Sequence, residues 1–303
     1  SPGMWNAAFR DLEFDAAYVP FDVRSDKLES FIATLREYPG FIGANVTVPH
    51  KLAIMNLLDD VDPAARRIGA VNTFAVNEGG KLVGYNTDAD GLIASMLRPL
   101  PGEPTPFLPS LSGMDALLLG AGGAGRAAAF ALGQNLNDGI LLLTNRSLDK
   151  ASSLATEVAE ATGVQTSAIS QTQALEAVAG VDLVVNASTV GQSGIRHLPD
   201  GMSTSLEAFS SLAPAQPVAI TERGDVAGFW QEWFQLSLEA ISRNNDLAAA
   251  ALAQCKTSSV FVDAVYSPDE TVLLRQARLA GHKTLNGKGM LIMQAAYSFI
   301  NRM

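Results

Sequence analysis

The chain has 303 residues, more than a single hydrophobic core usually serves, so about two domains are expected. A net charge of −10 at pH 7 argues against nucleic acid or an anionic membrane as the main partner, because both require a positive field. One cysteine, Cys255, excludes an internal disulfide framework, and three scattered histidines offer no metal-ligand spacing. With no spanning apolar stretch and no leader peptide, a reducing cytoplasm is the expected location.

Taken in chain order, "SPGMWNAAFRDL" reads as an amphipathic helix that begins without an initiator methionine, which implies that something upstream is missing. The segment "AAYVPFDV" reads as a strand, "DKLESFIATLREY" as an amphipathic helix and "FIGANVTV" as a second strand, a βαβ rhythm that favours a parallel sheet. Next, "LAIMNLLDDV" is helical, and "AVNTFAV" and "KLVGYN" flank the turn signal "NEGG" as a hairpin. Residues 98–113 hold five prolines without periodicity and form the clearest linker. Beyond it, "MDALLLGAGGAGRAAAFAL" gives a buried strand, a glycine loop and an alanine-rich helix. The alternation continues through "GILLLTN", "SLDKASSLATEVAEA", "VDLVVNAS" and "SVFVDAVY". That pattern is a doubly wound Rossmann fold. Residues 225–256 read as inserted helices whose Trp230, Trp233 and Phe234 suit a core stripe or an interaction surface better than a cofactor box.

The fold class expected is therefore α/β. An α/β substrate-binding domain occupies residues 1–97, a linker 98–113, a nucleotide-binding domain 114–286, and a C-terminal helix 287–303.

Gly120, Gly122, Gly123, Ala124 and Gly125 lie between a buried strand and a helix, where bare backbone and helix N–H groups suit a pyrophosphate. After the next strand, where an acid would grip the ribose of NAD, stand Thr144, Asn145, Arg146 and Ser147. A guanidinium with small polar neighbours suits a 2′-phosphate, so NADP is the favoured cofactor. In the first half, Asn45, Thr47, Lys51, Asn72, Thr73, Asn86, Thr87 and Asp88 fall at predicted strand ends, at one edge of a sheet where α/β folds bind ligands. Amides and hydroxyls suit a polyhydroxylated substrate, though strand-end polar residues are also common caps. Lys51 and Asp88 are the plausible acid/base pair for an alcohol that loses hydride, against the plainer reading of a surface ion pair.

Together "SPGMWNAAF", "GANVTVPHK", "IGAVNT", "GYNTDADG", "GAGGAGRAA", "TNRS", "VVNAS" and "NGKGMLIMQAA" resemble the shikimate dehydrogenases and their quinate-using relatives, in order from Ser1 to the C-terminus. The resemblance implies NADP-linked interconversion of shikimate and 3-dehydroshikimate. Lys51 and Asp88 would be the catalytic pair, and Asn45, Thr47, Asn72 and Gln294 ligands of the substrate hydroxyls. Ser1 would lie at the carboxylate, Tyr266 near the substrate and Gly289 near the nicotinamide. The last helix would return to the first domain. Family members are monomers or dimers, and none of this requires a macromolecular partner. His50 reads as a bystander.

The chain departs from the family pattern in four places. A first strand and a serine that the family carries before "SP" are absent, which suggests a fragment or a fusion partner such as a dehydroquinate dehydratase. "NASTVGQ" replaces the usual "NATPxGM", Lys288 replaces an apolar residue in "NGLGM", and the inserted helices have no counterpart. Quinate as substrate, or a non-catalytic nucleotide-binding domain of the same fold, remain the alternatives.

Overall fold

The computed structural model describes residues 2–198, 200–221 and 225–302, with the side chains of 301 and 302 left aside. It divides into two compact units, residues 1–91 with 292–303, and residues 92–291.

The first unit begins with α1 (Pro2–Asp11) and α2 (Leu28–Glu37), followed by β1 (Gly43–Asn45), β2 (Asp60–Val61), α3 (Pro63–Ile68), β3 (Thr73–Val76), β4 (Leu82–Tyr85) and α4 (Asp88–Leu97). Asp62 caps α3 by accepting from Ala64 N–H, with Pro63 pre-set at the first turn, and Gly69 ends it at φ 71°. The hairpin forms as expected. Asn77 Oδ1 accepts from the backbone of Gly79 and Lys81, which closes the β3–β4 turn.

Three expectations fail here. The sheet runs β1-β3-β4-β2 and is not parallel: β1 and β4 both pair antiparallel with β3, and only β2 with β4 is parallel. Residues 16–23, expected as a strand, join no ladder. At Tyr18 the backbone N–H and C=O are met by Asn6 of α1 instead, through Oδ1 at 2.7 Å and Nδ2 at 3.0 Å, so this residue does not need a partner strand. "LAIMNLLDDV" also shortens, to a 3₁₀ turn over Ala53–Leu57 and the two residues of β2.

The second unit carries β5 (Ala116–Leu119), α5 (Gly123–Asn135), β6 (Ile140–Thr144), α6 (Leu148–Thr162), β7 (Gln165–Ile169), α7 (Gln171–Ala177) and β8 (Leu183–Asn186). The short pair β9 (Arg196–His197) and β10 (Ser203–Thr204) follows, then α8 (Val226–Leu252), β11 (Val260–Asp263), α9 (Val272–Leu279) and β12 (Lys283–Leu285); α10 (Gly287–Arg302) starts in this unit and from residue 292 belongs to the first. The main sheet of the second unit is wholly parallel in the order β12-β11-β8-β5-β6-β7. Every residue of β5, β8 and β11 is buried, as strands covered by helices on both faces must be. The order reverses at β5, and that crevice outside the carboxyl ends is where such folds bind nucleotides.

The insertion is one 27-residue helix, α8, with no break. Phe229, Trp233, Ser237, Ile241, Asn244, Ala248 and Ala251 form its buried stripe at helical spacing. Trp233 belongs to the core and donates to Val218 O at 3.0 Å, whereas Phe234 is exposed. Buried Asn244 is satisfied by the backbone of Ser210 and Ala213. No described helix is long and apolar enough to cross a membrane.

Candidate functional site

The polar residues of the first unit meet at one sheet edge, although the strands are antiparallel. The registers Asn45↔Thr73 and Thr73↔Tyr85 place the end of β1, the start of β3 and the end of β4 side by side. Asn72 and Thr73 therefore open a strand while Asn45, Asn86 and Thr87 close or follow one, and the cluster still converges.

Lys51 and Asp88 are in direct contact, Nζ to Oδ2 at 2.6 Å, with side-chain exposures of 12% and 6%. A plain surface ion pair is thereby excluded. Asp88 opens α4, where a helix N-terminus favours a carboxylate, and its other oxygen accepts from Asn72 Nδ2 at 2.9 Å. Asn86 Oδ1 receives the backbone N–H groups of Asp88 and Ala89, which sets the first turn of that helix. Lys51 is anchored from behind, since its carbonyl accepts from Val71 N–H at 2.8 Å. Its ammonium makes no second hydrogen bond among the described residues, so donors remain for a ligand.

Asn72 is the hub. Its Oδ1 accepts from Thr87 N–H at 2.8 Å, and its Nδ2 faces Thr87 Oγ1, Asp88 Oδ1 and, at 3.4 Å, Gln294 Oε1. Gln294 arrives on α10, the C-terminal helix that packs back on this unit: a Cβ at Gly91 would lie 2.7 Å from Gln294 Cβ, so only glycine admits so close an approach. Thr47 stands exposed after β1 with its hydroxyl unspent on any described residue. His50 Nε2 lies 2.7 Å from Val23 O, which occupies the ring with holding the chain. The substrate residue expected at Ser1 lies outside the described residues.

Two participants escaped the sequence. Tyr18 OH donates to Asn45 Oδ1 at 3.1 Å, with its phenol pushed above the usual range by burial. Ser298 Oγ receives Asn45 Nδ2 at 3.1 Å and lies 3.1 Å from Thr73 Oγ1. Ser298 follows Gln294 by one helical turn, and that spacing was the available signal.

In the second unit, the glycine turn leaves β5 and opens α5 with Gly122 as N-cap and, among the described residues, no side-chain cap for the first turn's N–H groups. Gly123, Ala124 and Gly125 supply those donors. Beside the turn, Asn145 acts as a strut, accepting from Ala121 N–H at 3.3 Å and donating to Ser147 O at 3.1 Å. Ser147 is the N-cap of α6, yet its hydroxyl makes no capping bond. Arg146 is exposed and pairs with no described residue. Tyr266 follows β11 and is 46% exposed. Gly289 lies in the first turn of α10, where a Cβ would meet Leu100 at 2.8 Å. Its smallness thus has a packing cause of its own.

The departures also find partners. Lys288 pairs with Asp269 at 2.8 Å, and Thr189 and Gln192 are both held by Arg196.

A family model described as the shikimate dehydrogenase substrate binding domain matches residues 1–74. An NADP(+) shikimate dehydrogenase of Desulforamulus reducens is 35% identical, over 99% of this chain and 84% of that one. Among solved structures, the shikimate 5-dehydrogenase of Thermus thermophilus in complex with NADP(H) and shikimate is 30% identical with a TM-score of 0.66, over 98% of this chain and 86% of that one. The quinate dehydrogenase of Corynebacterium glutamicum in complex with NAD is 26% identical with a TM-score of 0.67, over the same shares. The fold and these relatives define an oxidoreductase of the dinucleotide-dependent class. The chain belongs to the shikimate dehydrogenase family.

Proposed function

We propose that the chain interconverts shikimate and 3-dehydroshikimate with NADP(H), and that Lys51 and Asp88 handle the proton. The contact between these two side chains, buried and hydrogen-bonded on to Asn72, carries the reading. An ammonium with free donors and a carboxylate with an adjacent lone pair suit one alcohol oxygen. They take its proton as the alcohol is oxidised and return one to the carbonyl in reduction. Asn45, Thr47, Asn72 and Gln294 present the amides and hydroxyl that fix the other hydroxyls of the ring.

The second unit fits NADP. A Cβ on Gly122 would meet no protein atom within 4 Å, and its φ of −81° suits any residue. Neither packing nor backbone conformation therefore demands glycine there, and the bare approach serves a ligand. The N–H groups of α5 would receive the pyrophosphate, and Arg146 with Ser147 the 2′-phosphate. The bound nicotinamide supplies or accepts the hydride.

Steady-state assays crossing shikimate and quinate with NADP and NAD test the reading. The expected result is the highest kcat/KM for shikimate with NADP. A preference for quinate with NAD would move the chain to the other branch of the family, and no turnover with any pair would reject the enzymatic reading.

A further inference from the structure

The loop after β8 carries the departures Thr189 and Gln192, and the structure explains them jointly. Arg196, on β9, donates through Nη1 to Thr189 Oγ1 at 2.8 Å and through Nη2 to Thr189 O at 3.1 Å and Gln192 Oε1 at 2.6 Å. The proline usual at the first position offers no side-chain acceptor and the methionine usual at the second only a weak thioether, so the two polar residues and the guanidinium form one set. Arg196 is half-buried, forms no ion pair among the described residues, and is held below the usual arginine range by that burial. Partial removal of a guanidinium from water is costly, and here three hydrogen bonds to neutral acceptors offset that cost.

What the clamp holds in place is next to the dinucleotide turn. A Cβ on Gly120 would lie 2.8 Å from Ser188 N, so the loop and the glycine turn are in van der Waals contact. Asn186 fixes the near end of the loop, accepting from Ser188 N–H and donating to Val190 O. Gly191 N–H donates to Leu206 O at 2.9 Å. Arg196 fixes Thr189 and Gln192, which Asn186 does not reach.

We propose that Arg196 is a positioning residue for the cofactor: its planar fork holds the Thr189–Gln192 segment, which continues directly from Ser188 at the glycine turn, in a shape the bound dinucleotide requires. The proposal rests on the NADP reading above. It concerns shape rather than charge, because a lysine retains the charge but lacks the planar fork that meets the acceptors of Thr189 and Gln192 in fixed directions.

The test is equilibrium binding of NADPH to the full chain without substrate, followed by the cofactor's own fluorescence, for wild type, Arg196→Lys and Arg196→Met, with the melting temperature of each. The expected result is an NADPH Kd raised about tenfold in both variants, with melting temperatures within a few degrees of wild type. The slope of Kd against ionic strength should stay unchanged. Arg196→Lys binding like wild type would overturn the proposal in favour of a simple charge effect. Wild-type affinity in both variants would overturn it outright. Should Arg196→Met fail to fold, Arg196→Lys alone decides. Wild type that binds neither NADPH nor NADH would reject the cofactor reading itself, and the positioning role with it.

Discussion

Gly125 and Gly120 approach so closely that a Cβ on Gly125 would stand 2.2 Å from the Gly120 carbonyl oxygen. At Gly122, two residues into the same turn, a Cβ would meet nothing within 4 Å. The first glycine serves the fold; the second has no packing cause, and the proposed cofactor site supplies its reason. Gly125→Ala should therefore lower the melting temperature or abolish folding. Gly122→Ala should melt like wild type and bind NADPH at least tenfold more weakly. Calorimetry and fluorescence titration on the two variants check this, and a Gly122→Ala protein with unaltered affinity would remove the glycine turn from the cofactor site.

Lys51 and Asp88 provide the chemical test. Lys51→Ala removes the ammonium and leaves Asp88 bonded to Asn72, so the site keeps its frame. The expected effect is a fall in kcat of about 10²–10⁴ with KM changed only a few-fold, the signature of an interaction made mainly in the transition state. Asp88→Asn should act in the same direction. Unaltered turnover in Lys51→Ala would assign proton transfer elsewhere and revive the non-catalytic alternative.

The second unit was legible because its signals are local. The apolar runs of β5 and β8, the glycine turn and the alanine-rich α5 each declare their state within a few residues. In the first unit the same reading produced a parallel sheet and a strand over residues 16–23 that the structure lacks. Whether Tyr18 joins a ladder depends on its neighbours in space, and here Asn6 supplies what a partner strand would have supplied. The convergence of Lys51, Asn72 and Asp88 was readable from polar residues at predicted strand ends, while Tyr18 lay in a segment read as a strand and Ser298 was marked only by its one-turn spacing from Gln294. Nothing in "NASTVGQSGIR" marked Arg196 as the common partner of two separate departures; that pairing emerges only from the geometry.

On the proposed function, Arg146 is the residue that separates the two dinucleotides. It stands exposed after β6 with no described partner, available to a 2′-phosphate that NAD lacks. Arg146→Ala should raise the Kd for NADPH by about one to two orders of magnitude and leave that for NADH almost unchanged. Parallel titrations with the two reduced cofactors measure the ratio, and equal losses for both would place the 2′-phosphate away from this residue.

Asp263 gives the protein a pH dependence of its own. The side chain is 1% exposed at the end of β11, and burial pushes its carboxyl up to about 7, against the pull of hydrogen bonds from Thr271, Val265 and Asn186. An unfolded aspartate titrates near 3.8, so between about pH 4 and pH 7 the folded chain holds a proton that the unfolded chain has released. This contribution to stability is complete below the unfolded value and is lost as pH rises through the folded one. Asp263→Asn is neutral throughout and lacks the slope. Between pH 5 and pH 8 wild type should therefore lose about 3 kcal/mol relative to Asp263→Asn, seen as a gap of several degrees in melting temperature that shifts in favour of the variant. Comparing the two proteins cancels the titration of every other group. A difference that stays constant across that range would mean that the Asp263 carboxyl is ionised in the folded chain at pH 5, held so by its three donors.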